Sequence, residues 1–261
     1  MQLGFLTSGT VEDVQFARKQ GFDCVELALF DDTPLFQDHR AFKQALVDEG
    51  IDLVGVSLFG KNHHDPDEKT RNDHAVLWEK AADLAADLGT GIFIAGAGRI
   101  PNIPDDKQWE PAVEELRPRI EAVQRRGLKF AFYNCHWENV IDRPAAWSRV
   151  LPEFPGVGIK FDPSHPVYDH RDWMAELFEA GPNLVHTHAK DVLRIGDTMV
   201  ADPNPELGQI AWGAFFGILY QVGYDGAVCI EPHSPLYTGE HRHKFLALSG
   251  RYLRQFMLSE G

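Results

Sequence analysis

The sequence predicts a single (β/α)8 barrel, an α/β fold, that spans residues 1–261. The first observation is the length of 261 residues, of which 44% are apolar and 25% charged, as in a globular chain that fills one α/β barrel domain. The second is an eightfold alternation of short apolar runs with longer amphipathic ones. The third is the absence of a Pro-, Gly- or Ser-rich linker, which favours one domain.

The eight short runs are rich in Val, Ile, Leu and Phe, which is typical of buried strands. They cover 2–7, 23–28, 52–58, 91–96, 128–134, 157–162, 184–190 and 226–231. A doubly wound sheet usually has fewer strands, and no GxGxxG motif follows the first run, so the barrel is favoured.

The amphipathic runs between the strands predict helices. Thr10 begins the first helix with a capping-box pattern, and Gly21 ends it. Further helices are predicted over 66–88, 108–126 and 209–222, and a glycine closes the first two of these three. The irregular stretch 192–208 predicts a hairpin or lid after the seventh strand.

The charge and the composition exclude several classes of protein. The net charge of −14, from 39 acidic and 25 basic residues, disfavours nucleic-acid binding. No apolar run approaches the roughly 20 residues that span a bilayer, and the start of the chain lacks the features of a signal peptide. The three cysteines are far apart and form no CxxC motif, so we expect a reduced, cytoplasmic protein.

Strand parity predicts which polar side chains face the barrel axis. Because side chains alternate along a strand, Glu26, Tyr133, Asp162, His188 and Glu231 are expected to point inward. They lie near the carboxyl ends of their strands, the end of a barrel that carries active sites. His186 has the parity of His188 but lies deeper, where packing in the core is expected.

Converging carboxylates and an imidazole predict a metal site. Buried unpaired carboxylates are costly, and a divalent cation removes that cost. We therefore expect Asp162, His188 and Glu231 to bind one divalent ion, Mn²⁺ first, with Mg²⁺, Co²⁺ or Zn²⁺ as alternatives. The competing interpretation is an ion-pair network without metal, in which three lysines neutralise the carboxylates: Lys129, Lys160 and Lys190.

Several motifs resemble the sugar phosphate isomerase/epimerase family, within the xylose isomerase-like TIM barrel superfamily. They are DPSH at 162–165, HTHAKD at 186–191, the run WGAFFGILYQVGYDG at 212–226, and the IEPH that follows it at 230–233. The superfamily also contains ketose 3-epimerases, hydroxypyruvate isomerase, inosose dehydratase and endonuclease IV. The resemblance covers nearly the whole chain and is strongest from 128 to 235.

The resemblance implies a metal held by a Glu, an Asp, a His and a Glu on the last four strands. Asp162, His188 and Glu231 match the last three ligands, but Tyr133 stands where relatives have the first Glu. A neutral phenol is a poor ligand for a hard ion, so His136, favoured over Glu138, is expected to replace it. Three protein ligands plus water is the alternative.

The implied activity is a metal-dependent isomerase or epimerase of a small sugar or keto-sugar, acting through a metal-stabilised enediolate. Glu231 is the expected base, His165 a proton relay or a group that orients Asp162, and Lys190 a stabiliser of the oxyanion or a partner of Asp191. The candidate substrate-binding residues, each with a structural alternative, are Glu26, His63, His64, Trp137 and His233.

Three other functions compete with this one. A lyase or dehydratase needs only a single base, which the loss of the strand-five Glu favours. An apurinic endonuclease would need three zinc ions and a basic groove, which the net charge of −14 disfavours. A degenerate barrel that binds a sugar or a partner without catalysis is the last alternative. Relatives are often dimers or tetramers, so a homo-oligomer is also considered.

Overall fold

The structure, a computed structural model, describes residues 1–258. Eight parallel strands close into a barrel in the order β1, β10, β7, β6, β5, β4, β3, β2. In chain order they are β1 (Gln2–Thr7), β2 (Cys24–Leu29), β3 (Asp52–Leu58), β4 (Ile92–Ala95), β5 (Lys129–Tyr133), β6 (Gly158–Phe161), β7 (Leu184–Ala189) and β10 (Ala227–Ile230). The predicted (β/α)8 barrel is confirmed, and each predicted strand is present.

Helices surround the barrel and occupy most of the connections. They are α1 (Val11–Gln20), α2 (Arg40–Glu49), α3 (Glu68–Leu88), α4 (Trp109–Arg125), α5 (Pro144–Val150), α6 (Ser164–Tyr168), α7 (Trp173–Ala180), α8 (Trp212–Gln221), α9 (Pro235–Thr238) and α10 (Arg242–Arg254). Within residues 1–258, no helix has both the length and the apolar character that are needed to cross a bilayer.

The first helix shows how the sequence sets the ends of these elements. The Thr10 side chain accepts a hydrogen bond from the Asp13 backbone N–H at 3.1 Å, which satisfies an N–H that the helix itself leaves free. Gly21 adopts a φ of 73° and donates to the last carbonyls of the helix. A side chain at that position would strain the backbone, so glycine ends the helix there.

The core forms where the outward face of the barrel meets the helices. Phe93 of β4 and Phe130 of β5 pack against Trp78 of α3, with ring centroids 5.2 and 5.5 Å apart. The inward face carries mainly small and polar residues. Cys24, Ala227 and Cys229 form a separate buried cluster on that face, and Ile94, Ala131 and Tyr133 form another. Parity therefore sends most large apolar residues outward and the polar residues toward the axis.

A hairpin follows the seventh barrel strand, as the sequence predicts for 192–208. Its strands are β8 (Leu193–Ile195) and β9 (Thr198–Ala201), which pair antiparallel. The buried Asp191 holds both ends of this segment. Its carboxylate accepts backbone N–H groups of Val192, Gln209 and Ile210, at 2.7 to 2.9 Å, and the Trp212 indole N–H. A Cβ at Gly208 would lie 2.2 Å from this carboxylate, so the close approach needs glycine.

Candidate metal centre at the carboxyl ends of the strands

Three side chains converge at the mouth of the barrel from the ends of β6, β7 and β10. The potential ligand atoms of Asp162, His188 and Glu231 all lie within 4.8 Å of one another. Asn134, just after β5, fixes the end of β6, because its side chain accepts from the Asp162 N–H at 2.8 Å and donates to the Asp162 carbonyl at 2.9 Å. The structure thus brings together the three side chains that the sequence predicts as metal ligands.

The two carboxylates of this group face one buried ammonium. Lys190 Nζ lies 3.3 Å from Asp162 Oδ2 and 3.4 Å from Glu231 Oε2. Burial alone would lower the pKa of Lys190, but the two carboxylates raise it well above its ordinary value. Lys190 therefore pairs with the candidate ligands, whereas Asp191 holds the hairpin.

Asp162 carries an oxygen that could accept a metal ion. Among the residues that the structure describes, the buried Oδ2 accepts no hydrogen bond, whereas Oδ1 accepts from the Ser164 N–H at 2.8 Å. His165 Nε2 lies 3.5 Å from Oδ2. Burial, assisted by Lys190, lowers the pKa of His165 well below its ordinary range, so its imidazole is neutral.

His188 lies between two carboxylates. Its Nδ1 is 2.9 Å from Glu231 Oε2 on the side of the mouth, and its Nε2 is 2.6 Å from Glu26 Oε2 on the side of the barrel interior. Burial alone would lower the pKa of His188, but Glu26 and Glu231 raise it. His186 shares the same Glu26 oxygen at 2.6 Å, so it lies in the core as expected but takes part in a polar contact.

Tyr133 turns away from the group. A Cβ at Gly96, just after β4, would lie 2.3 Å from the Tyr133 hydroxyl, so this hydroxyl fills the space above that glycine. The hydroxyl donates to the Trp137 carbonyl at 3.5 Å, and burial raises its pKa above the ordinary range. The phenol is therefore protonated and directed toward β4, in accord with its exclusion as a ligand.

The expectation that His136 completes the ligand set is not met by this geometry. Its side chain is 49% exposed, and its Nδ1 lies 3.8 Å from Asp169 Oδ1. Neither His136 nor Glu138 belongs to a group of potential ligand atoms that converge among residues 1–258. The reason is local: the chain turns at Cys135, whose Sγ accepts the Trp137 N–H at 3.4 Å, and this carries the following residues outward.

The other candidate substrate-binding residues lie in different surroundings. Trp137 is 57% exposed and packs over Gly60, just after β3, so it flanks the mouth. His233 is half exposed and contacts Asp202 at 2.9 Å. His64 is partly buried and donates its backbone N–H to Asn62. His63, by contrast, is buried against Trp78.

Two residues near the site were missed from the sequence. Tyr168 of α6 places its ring 5.8 Å from Lys190 Nζ, and its hydroxyl donates to Asp202 at 2.5 Å. Asp202 follows the hairpin and also contacts His233. A contact chain therefore links Lys190 to the hairpin. The sequence has no periodic pattern that predicts this contact chain, because Tyr168 lies in a short helix and Asp202 in a loop.

Comparison with known proteins identifies the family of this chain. The family model described as xylose isomerase-like TIM barrel matches residues 14–253. The chain belongs to this family. The ketose 3-epimerase of Arthrobacter globiformis is 26% identical, over 88% of this chain and 80% of that protein. The resemblance that the motifs indicate is therefore confirmed.

Solved structures of other proteins share the fold. The 3-keto-D-glucoside 4-epimerase YcjR from E. coli superposes with a TM-score of 0.78 and 19% identity, covering 98% of this chain and 99% of its own. The IOLI protein with a bound zinc atom superposes with a TM-score of 0.79 and 17% identity, covering 99% and 100%. At these identities the superpositions establish the barrel alone.

Proposed function

We propose that this member of the xylose isomerase-like family is a divalent-metal-dependent isomerase or epimerase of a small sugar or keto-sugar. The observation that carries the proposal is the convergence of Asp162, His188 and Glu231, with potential ligand atoms within 4.8 Å of one another. The similarity to a ketose 3-epimerase and to a 3-keto-D-glucoside 4-epimerase supports the substrate class.

The donor set fits a divalent ion. Two carboxylates and one imidazole suit Mn²⁺, Mg²⁺, Co²⁺ and Zn²⁺. The buried Asp162 Oδ2 accepts no hydrogen bond among the described residues, so it can bind a cation. The zinc atom in the IOLI protein supports the same choice of group. Such an ion supplies Lewis acidity that polarises a carbonyl and a neighbouring hydroxyl. Mn²⁺ remains our first proposal.

The chain itself supplies the groups that move and stabilise charge. Burial would raise the pKa of Glu231, but Lys190 and His188 hold it well below its ordinary value, so Glu231 is ionised and can accept the proton next to the carbonyl. Lys190 places a positive charge where the substrate oxygen gains negative charge. The neutral His165 can carry a proton between substrate oxygens.

The substrate would lie above these groups in the mouth. Trp137 and His233 are exposed there and are the proposed contacts with the sugar. An exposed indole offers an apolar face to the C–H groups of a sugar ring, and an imidazole can bind a hydroxyl. His64 stays a weaker candidate of the same kind.

The second candidate is a lyase or dehydratase of a keto-sugar or keto-glycoside. The observation that favours it is Tyr133, which replaces a carboxylate and directs its hydroxyl to Gly96. Glu231 is then the proposed carboxylate base, since Asp162 is proposed only as a ligand, and elimination needs a single base. Epimerisation on two faces needs a second group that transfers a proton, and His165, with Nε2 3.5 Å from Asp162 Oδ2, is our proposal for it.

The test is a screen of ketoses, inososes and keto-glycosides in D₂O with Mn²⁺ or Co²⁺, read by NMR. An isomerase or epimerase gives a rearranged product of unchanged composition, and a lyase gives an unsaturated product. Glu231→Gln should lose about 10²-fold or more of the turnover, the usual contribution of a general base. Glu179→Gln, an exposed Glu on α7, is the matched control. Equal turnover of Glu231→Gln and wild type would refute the assigned base.

A further inference from the structure

Glu26 is a buried carboxylate whose hydrogen-bonding capacity is used inside the barrel. Its side chain has no exposed surface. Oε2 lies 2.6 Å from His186 Nε2 and 2.6 Å from His188 Nε2, and Oε1 accepts a hydrogen bond from the Ser57 hydroxyl. A sugar in the mouth cannot reach a group enclosed in this way. The expected contact between Glu26 and a sugar hydroxyl therefore has no support in the geometry.

We propose that Glu26 is a positioning residue that sets which nitrogen of His188 faces the metal ion. This inference rests on the proposed metal-dependent function. A carboxylate only accepts hydrogen bonds, so the contact with Glu26 requires a proton on His188 Nε2. An imidazole that binds a metal keeps one proton, and its other nitrogen is then the ligand.

The opposite side of the ring agrees with this assignment. His188 Nδ1 points toward Glu231 Oε2 at 2.9 Å, within the group that also includes Asp162. Because a carboxylate only accepts hydrogen bonds, this contact places a proton on Nδ1 as well. A cation bound at the mouth would take the place of that proton, whereas the proton on Nε2 is enclosed with Glu26 inside the barrel. Glu26 also fixes the ring plane, because its carboxylate is itself held by the Ser57 hydroxyl.

A second metal ion beneath the first is the competing interpretation, since Glu26, His186 and His188 also bring potential ligand atoms within 4.8 Å. The contacts of Glu26 favour hydrogen bonds at this position. Its Oε2 lies 2.6 Å from both imidazole nitrogens, the length of a charge-assisted hydrogen bond, and its Oε1 accepts from the Ser57 hydroxyl.

His186 provides an internal control. It donates to the same Glu26 oxygen and is equally buried, but it does not belong to the group formed by Asp162, His188 and Glu231. Replacing His186 removes a comparable buried contact and leaves the contact between Glu26 and His188 in place. A loss of metal affinity in the Glu26 variant that the His186 variant does not share would therefore result from the lost contact between Glu26 and His188.

The experiment is calorimetric titration of the metal-free full chain with MnCl₂. Glu26→Gln should weaken Mn²⁺ binding about 10- to 100-fold, the usual effect of removing the partner of a ligand histidine. His186→Gln should bind within about twofold of wild type. Wild-type affinity in Glu26→Gln, or an equal loss in both variants, would overturn the inference. If wild type itself binds no Mn²⁺, Zn²⁺ or Co²⁺, the proposed function fails instead.

A measurement on the wild type covers the case in which Glu26→Gln does not fold. In the Zn²⁺-loaded chain labelled with ¹⁵N histidine, His188 should carry its proton on Nε2 and bind zinc through Nδ1. The NMR shifts of the two ring nitrogens distinguish this tautomer from the reverse one. The reverse tautomer, with the proton on Nδ1, would overturn the inference without any substitution.

Discussion

His63 is a buried histidine that should make the stability of this protein depend on pH. Its ring packs edge-on against Trp78, with centroids 5.0 Å apart, and neither ring nitrogen finds a hydrogen-bond partner within residues 1–258. Burial, with a smaller contribution from Arg119, lowers the pKa of His63 from 6.5 to about 3. The folded protein therefore holds this imidazole neutral, whereas the unfolded chain protonates it near pH 6.5.

This difference in the pKa of His63 between the folded and the unfolded protein sets the direction and the size of the change in stability with pH. A depressed histidine pKa contributes stability that is present above pH 6.5 and is lost as the pH falls toward 3. At pH 5, about 1.5 units below the unfolded pKa, the loss is about 2 kcal/mol at 1.36 kcal/mol per unit. For a domain of this size, that loss is about 4–8 °C in the unfolding midpoint.

The perturbation is His63→Phe, which keeps an aromatic ring against Trp78 and removes the titrating nitrogens. Urea unfolding at pH 8 and pH 5 should show that the variant loses about 2 kcal/mol less than wild type between the two conditions. His241→Phe, at an exposed histidine, should follow wild type. If His63→Phe and wild type lose equal stability, His63 is not held neutral in the folded protein, and the reasoning from burial is refuted.

Two further predictions concern the carboxylates of Glu176 and Asp191, both of which are buried. Burial raises the pKa of Glu176 to about 7 despite the Arg171 guanidinium, 3.1 Å away, so its ionisation costs stability as the pH rises from 4.5 to 7. Thermal unfolding of Glu176→Gln should therefore depend less on pH between 5 and 8, and an unchanged slope would contradict this. Asp191→Asn leaves an amide facing N–H donors and should cost about 1–3 kcal/mol. It should also speed limited proteolysis within 192–208, and a cleavage rate like that of wild type would count against the anchoring role.

The barrel could be predicted because one physical rule acts on each strand. β6 illustrates it: Ile159 and Phe161 pack outward in the core, whereas Lys160 and Asp162 lie on the opposite face. Burial of the outer face on the helices imposes the alternation, and the closed barrel imposes the inward direction of the polar set. The convergence of Asp162, His188 and Glu231 therefore follows from parity and strand ends, without knowledge of any loop.

The loop residues could not be predicted in the same way. His63 lies in a loop and has no periodicity, yet it is buried because Asn62 folds the loop inward. The Asn62 side chain accepts from the His64 and Arg99 backbone N–H groups, each at 2.9 Å. His136 is the opposite case, since it follows a strand end but is turned outward. Contacts between distant loops decide both positions, and a single sequence contains no local signal for them.

Tyr133 shows what residue type alone can predict about function and what only the structure shows. Its chemistry excludes it as a ligand for a hard ion, but only the structure shows that its hydroxyl occupies the space above Gly96, from which a side chain is absent. The two positions are coupled through the barrel wall, because β4 and β5 are neighbours. In the proposed function, Glu231 would take a proton from one face of the substrate, and a Tyr133 hydroxyl held beside Gly96 would not serve the other face. Epimerisation would then require another group such as His165, whereas elimination would not.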